Sequence, residues 1–163
     1  MAAEPAVRLV PLRGDHAAEL FDVLAEPSLY RHLDDAPPPS LAWLVERFDA
    51  LARGAPPELD EVWLNWAIVD PAGDLVGTTQ ATVRRDAPTS VAYVLGVGAQ
   101  GRGLARAAVG QMLDDLAAHH GVDEVQAEIA PENDRSIRLV ESLGFTPAGS
   151  IGSDRRFVRR LPR

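Results

Sequence analysis

A glycine-rich turn between an apolar strand and an amphipathic helix constrains this chain more than any other feature. The run Val91-Ala92-Tyr93-Val94-Leu95-Gly96-Val97-Gly98-Ala99-Gln100-Gly101-Arg102-Gly103-Leu104-Ala105 reads as a strand to Val97, then a turn, then a helix. Val109, Met112, Leu113 and Leu116 continue it at i, i+3, i+4 and i+7, with Gln111, Asp114 and Asp115 off that stripe. Such a junction aims backbone N–H groups and the positive end of the helix dipole at one point, where phosphate is held with little side-chain charge. A phosphorylated ligand is expected here.

The glycine spacing admits two readings. Gly96-x-Gly98-x-x-Gly101 matches the dinucleotide fingerprint, which wants an acid about 20 residues on at the end of the next strand. Asp123 and Glu124 instead precede that strand, expected over Val125 to Ala130, so the acid falls at the wrong end. The chain has no lysine, which excludes the phosphate loop ending in Gly-Lys-Ser/Thr. The offset pattern Gln100-x-x-Gly103-x-Ala105 resembles the pyrophosphate loop of the GNAT superfamily of N-acetyltransferases. A second segment, Ala127-Glu128-Ile129-Ala130-Pro131-Glu132-Asn133 through Leu143-Gly144-Phe145, resembles the other half of that family's cofactor site: a strand, an asparagine, a helix, and a Gly-Phe opening the next strand. The Asn133-x-x-Ser136-Ile137 spacing is similar to the RimJ/RimL-like branch, which acetylates protein N-terminal amines.

The resemblance implies a mixed α/β (α+β) GNAT fold, with a central sheet of about seven strands in the order β-α-α-β-β-β-α-β-α-β-β. Its parallel strands are expected to splay after Val97, so that pantetheine pairs with exposed backbone. It also implies one N-acetyltransferase domain over residues 5–163, with acetyl-CoA as co-substrate and no metal. Carried over residue by residue, the cofactor contacts are Leu95, Val97, Gln100, Gly101, Arg102, Gly103, Leu104, Ala105 and Asn133, with Arg102 or Arg106 adding charge.

The elements expected from pattern agree. Val7 to Leu12 is a strand, Asp15 caps a helix to Leu24, and Ser40 caps a second helix to Arg53, which Gly54 to Pro57 breaks. Val62–Val69 and Leu75–Arg85 form a hairpin. Two strands near Phe145–Ile151 and Arg155–Leu161 close the chain.

Composition narrows the class. With 163 residues, 46% of them apolar, the chain suits one domain with a real core. It has no cysteine, so disulfides and acyl-cysteine intermediates are impossible. A net charge of −8 argues against a nucleic-acid partner. No apolar run approaches the ~20 residues of a membrane helix. The start, Met1 to Pro5, lacks a secretory pattern, so a cytoplasmic protein, monomer or homodimer, is expected.

Acetyl transfer to an amine needs a base, a stabilised oxyanion and a proton for the leaving thiolate. Glu128, five residues before Asn133, is the candidate base; an ordinary solvated strand glutamate is the other reading. Asp60, Glu61 and Asp86 are weaker candidates. The family's tyrosine, seven residues after the asparagine, is Val140 here, which leaves Ser136 or water as the acid. His32 beside Asp34 and Asp35 admits a catalytic cluster, but a solvated loop is the favoured reading. The acceptor is a small-molecule or peptide amine. A lysine amine costs about 4.6 kcal/mol to deprotonate at pH 7, against about 1 for an α-amine, which favours the less basic class. Two other classes stay open: a non-catalytic acyl-CoA-binding module, and an NAD(P)-binding oxidoreductase using the first glycine spacing.

Overall fold

The computed structural model describes residues 6–163, so the expected domain start at Pro5 lies outside the described residues. Seven strands form one sheet in the order β1-β2-β3-β4-β5-β7-β6. They are β1 (Arg8–Pro11), β2 (Glu61–Val69), β3 (Leu75–Arg84), β4 (Thr89–Leu95), β5 (Glu124–Ile129), β6 (Thr146–Ile151) and β7 (Asp154–Arg160). The helices are α1 (Ala17–Leu24), α2 (Leu41–Arg53), α3 (Leu104–His119) and α4 (Asp134–Ser142). Every neighbouring pair is antiparallel except β4 and β5.

That exception builds the site. β4 and β5 pair only at Thr89↔Val125 and Ser90↔Gln126. β4 meanwhile stays on β3 as far as Gly77↔Leu95, and β5 stays on β7 as far as Ile129↔Arg155. The sheet therefore splits from Val91 onward, earlier than the expected opening after Val97. β4 itself ends at Leu95, and Val97–Ala99 is a 3-10 turn rather than strand. The β3 and β4 backbones lie close at Gly77, where a Cβ would collide with the Val94 carbonyl oxygen.

Two layers of core cover the sheet. Val109, Met112, Leu113 and Leu116 of α3 pack with Val91, Val125, Ala127, Ile129, Val140 and Phe157. Leu20 and Leu24 of α1 join Leu44 and Phe48 of α2 over Ala67, with Val94 against them. Alternation along β4 and β5 therefore sends Val91, Tyr93, Leu95, Val125, Ala127 and Ile129 to the α3/α4 face, and Ala92, Gln126 and Glu128 to the other.

Helix ends follow their capping chemistry with one exception. Ser40 Oγ accepts the Trp43 N–H at 3.1 Å, and Asn133 Oδ1 accepts the Ser136 N–H at 3.3 Å. Asp15 does not cap α1. It sits inside a 3-10 turn, Gly14–His16, and its carboxylate accepts from Arg13 Nε at 2.9 Å. His16 closes that turn instead, its Nδ1 accepting the Arg13 N–H at 3.1 Å. No helix among the described residues is long and apolar enough to cross a membrane.

Candidate active site

The split sheet opens onto a cleft of about 710 Å³ that runs from the glycine turn to α4. The turn is shaped by Gly101 (φ +78°) and Gly103 (φ +75°), a left-handed backbone that side-chain-bearing residues rarely adopt. The first bond into α3 is donated by Ala107 to the Gly103 carbonyl at 3.1 Å. The amides of Leu104 and Ala105 thus precede the helical ladder and point out of its N-terminus, where an anion is favoured. The Gln100 N–H, by contrast, is committed to the Val97 carbonyl at 3.2 Å.

Charge separates the cleft from the rest of the protein. Arg31, Arg106, Arg135 and Arg138 line it and, among the described residues, no carboxylate does, on a chain whose net charge is −8. Arg135 and Arg138 follow from the helical spacing of α4, which puts i and i+3 on one face. Arg106 reaches Ser142 Oγ at 3.2 Å, tying α3 to the end of α4. Arg102 does not line the cleft; its guanidinium lies 4.0 Å from Asp70 in the β2–β3 hairpin turn. Leu95, Val97, Gln100, Gly101, Gly103, Leu104, Ala105 and Asn133 all line it, as does Ser136.

A second, smaller cavity of about 80 Å³ passes between the split strands. Ala92 and Glu128 line it from one face of the sheet; Val91, Tyr93, Ala127 and Val140 line it from the other. Glu128 is exposed, and its cross-strand neighbour Arg156 gives its Nε to Gln126 at 2.8 Å. Glu61 is differently placed. Trp63 Nε1 and Arg84 Nε donate to it at 2.8 and 2.9 Å, holding its carboxyl below the usual range and making it a poor base. Val140 is 4% exposed, packed in the core beneath the passage and absent from the walls of the large cleft.

His32, Leu33, Tyr93, Asn133 and Ser136 line both cavities and mark where they meet. Sequence assigns Tyr93 no chemical role, and for His32 it favours a solvated loop over a catalytic cluster. Tyr93 places its hydroxyl 2.9 Å from Ser136 Oγ. Burial pushes the Tyr93 hydroxyl pKa up, with the Ser136 hydrogen bond and the Arg135 charge partly opposing. His32, expected in a solvated loop, is brought over the junction by a 3-10 turn, Pro27–Tyr30, whose Tyr30 hydroxyl donates to the Leu24 carbonyl at 2.6 Å. Its Nδ1 is buried and 3.9 Å from Glu132 Oε1. Strand alternation was the available signal for Tyr93. For His32 none existed, because loop geometry set its place.

The family model for the acetyltransferase (GNAT) domain matches residues 6–146. The chain belongs to the GNAT acetyltransferases. Among curated relatives, mycothiol acetyltransferase of Beutenbergia cavernae is 53% identical over 64 residues, 38% of this chain and 21% of that protein. The mycothiol acetyltransferase of Thermomonospora curvata is 36% identical over 109 residues, 64% of this chain and 34% of that protein. These matches span about a third or less of those relatives' lengths. Two solved GNAT-like structures share the fold at low identity. Spermidine N-acetyltransferase from Vibrio cholerae, in complex with CoA and spermine, superposes with a TM-score of 0.79 at 16% identity, covering 95% of both chains. AAC(6')-Ib in complex with ribostamycin and coenzyme A gives 0.78 at 19%, covering 95% of this chain and 93% of that one. The mixed seven-stranded GNAT sheet expected from sequence is the one observed. No group of three or more His, Cys, Asp or Glu side chains that could hold a metal occurs among the described residues of this GNAT domain.

Proposed function

We propose that this GNAT domain transfers an acetyl group from acetyl-CoA directly to a small-molecule amine within a ternary complex. The observation that carries this reading is the charge of the large cleft: among the described residues four arginines and no carboxylate line it, with a helix N-terminus at one end, on an otherwise acidic chain. A phosphorylated donor fits such a groove. The Leu104 and Ala105 amides and the Gly101–Gly103 backbone take the pyrophosphate, with Arg106, Arg135 and Arg138 supplying charge. Arg102 contributes through its backbone in the turn. Leu95, Val97 and Asn133 flank the pantetheine arm, and the acyl group reaches the junction beside Ser136.

The acceptor then enters from the opposite face, through the passage lined by Ala92 and Glu128. Glu128 attracts an ammonium group and takes its proton, leaving a neutral nitrogen to attack. Relatives and structural neighbours named for mycothiol, spermidine and aminoglycoside substrates support a small cationic acceptor. The Asn133–Ser136 spacing supports a second acceptor class, the protein N-terminal amines of the RimJ/RimL-like branch.

Calorimetry with acetyl-CoA, NAD and NADP, followed by thiol release across polyamines, aminoglycosides and peptides, tests the reading. Acetyl-CoA should bind, Gly103→Glu should abolish that binding, and at least one amine should release thiol. Binding of NAD or NADP in place of acetyl-CoA overturns the donor assignment. Acetyl-CoA binding without thiol release for any amine identifies a non-catalytic acyl-CoA-binding module.

A further inference from the structure

At the junction of the two cavities the side chains able to give up a proton are His32, Tyr93 and Ser136. Ser136 is clamped: its N–H is held by Asn133 Oδ1 at 3.3 Å, at the first turn of α4, while its Oγ meets the Tyr93 hydroxyl at 2.9 Å. The contact joins β4 to α4 across the opening where the sheet has no ladder bonds. Ser136 alone is a poor proton donor. Hydrogen-bonded to a phenol, it becomes the outer member of a relay, since hydroxyl chains polarise one another in a low-dielectric site.

Resting on the acetyl-transfer reading above, we propose that Tyr93 supplies the proton of the departing thiolate, acting through Ser136. The amine nitrogen bonds to the acetyl carbonyl carbon, and the carbon–sulfur bond breaks with its electron pair leaving on sulfur. Ser136 Oγ–H gives its proton to that sulfur as the Tyr93 O–H proton moves to Ser136 Oγ. The tyrosinate regains a proton from solvent. The surplus amine proton leaves through Glu128 to solvent, so the cycle closes on an N-acetyl amine and a free thiol. Burial keeps the Tyr93 hydroxyl protonated at rest, the Arg135 charge partly offsets the cost of the transient tyrosinate, and Glu128 faces the same passage from the other side of the sheet. Tyr93 is a positioning and proton-supplying residue in this scheme, and Ser136 is the group that touches sulfur.

The test reads protons as well as turnover. An alkyl thiol such as that of coenzyme A ionises above neutral pH (about 8.5 for cysteine), so donors at its sulfur stabilise the bound thiolate and make binding release protons at mildly alkaline pH. Calorimetry in two buffers of different ionisation heat measures that release for wild type, Tyr93→Phe and Ser136→Ala. Both variants should release fewer protons with coenzyme A and the same number as wild type with the desulfo analogue, which has no sulfur to protonate. With acetyl-CoA and a reactive amine, Tyr93→Phe should lower kcat about 10²-fold at pH 9 and less at pH 7, with KM for acetyl-CoA unchanged. Wild-type proton release in both variants, or a loss in kcat that is the same at every pH, overturns the relay. His32→Gln separates the neighbouring imidazole: if it alone removes the proton release, His32 and not Tyr93 is the source. Failure of the wild-type chain to bind coenzyme A at all would instead overturn the acetyl-transfer reading, a result visible before any variant is made.

Discussion

Gln100 fastens the glycine turn to the end of β4: its Nε2 donates to the Leu95 carbonyl at 3.1 Å. Its Oε1 accepts from Arg135 on α4. One side chain thus ties the cleft's two walls together. Gln100→Ala removes both hydrogen bonds, and should loosen that tie and raise the dissociation constant for coenzyme A about 2- to 10-fold, within the net worth of such bonds. Calorimetry on the variant checks this, and an unchanged constant shows that the backbone turn holds its shape alone.

Glu128→Gln removes the carboxylate from the acceptor side of the passage while keeping its size. Turnover should fall by roughly 10²–10⁴-fold at neutral pH, and the deficit should shrink as pH rises and the amine loses its proton unaided. A deficit constant with pH would make Glu128 an ordinary strand residue.

Val140→Tyr puts an aromatic ring where the family resemblance expects one. Val140 is buried in the core and reaches only the small inter-strand cavity, so the ring overpacks rather than arriving beside the donor's sulfur. The expected result is a loss of about 1–3 kcal/mol in denaturant unfolding, with no gain in turnover. A gain above pH 8 would show that α4 shifts to admit the ring and that the added phenol serves as an acid.

His16 makes stability depend on pH. Burial pushes its imidazole pKa below the ordinary value of 6.5, and the Arg13 charge adds to this while Asp15 and Glu19 oppose it. The folded state keeps His16 neutral, with Nδ1 accepting the Arg13 N–H, whereas the unfolded chain takes up a proton near pH 6.5. The contribution is therefore complete above about pH 6.5 and is lost as pH falls through the lower folded pKa. His16→Asn keeps an acceptor near Nδ1 without titrating. Thermal melts of both proteins should show the wild-type Tm falling relative to the variant below about pH 6.5; parallel curves would assign the acid sensitivity elsewhere.

Local order was legible in the residues. The period of Val109, Met112, Leu113 and Leu116, the capping oxygens of Ser40 and Asn133, and Gly101 and Gly103 before Leu104 each act over a few residues, so a single stretch of chain determined α3, two helix starts and the anion-facing turn. Alternation orders the faces within β4 and within β5, but the Ser90↔Gln126 pairing is what sets Tyr93 and Glu128 on opposite sides. What joins those sides was decided only in three dimensions. The ladder between β4 and β5 stops after Ser90 because each strand follows its other neighbour, β3 or β7, and no local pattern in either strand encodes that divergence. The same holds for Tyr93 meeting Ser136, 43 positions apart, and for His32, carried to the junction by the Tyr30–Leu24 hydrogen bond. Arg102 and Arg106 belong to one turn and its helix. Yet Asp70 draws the first out of the cleft while Ser142 holds the second beside it, since long side chains settle on whichever partner the packed fold brings within reach.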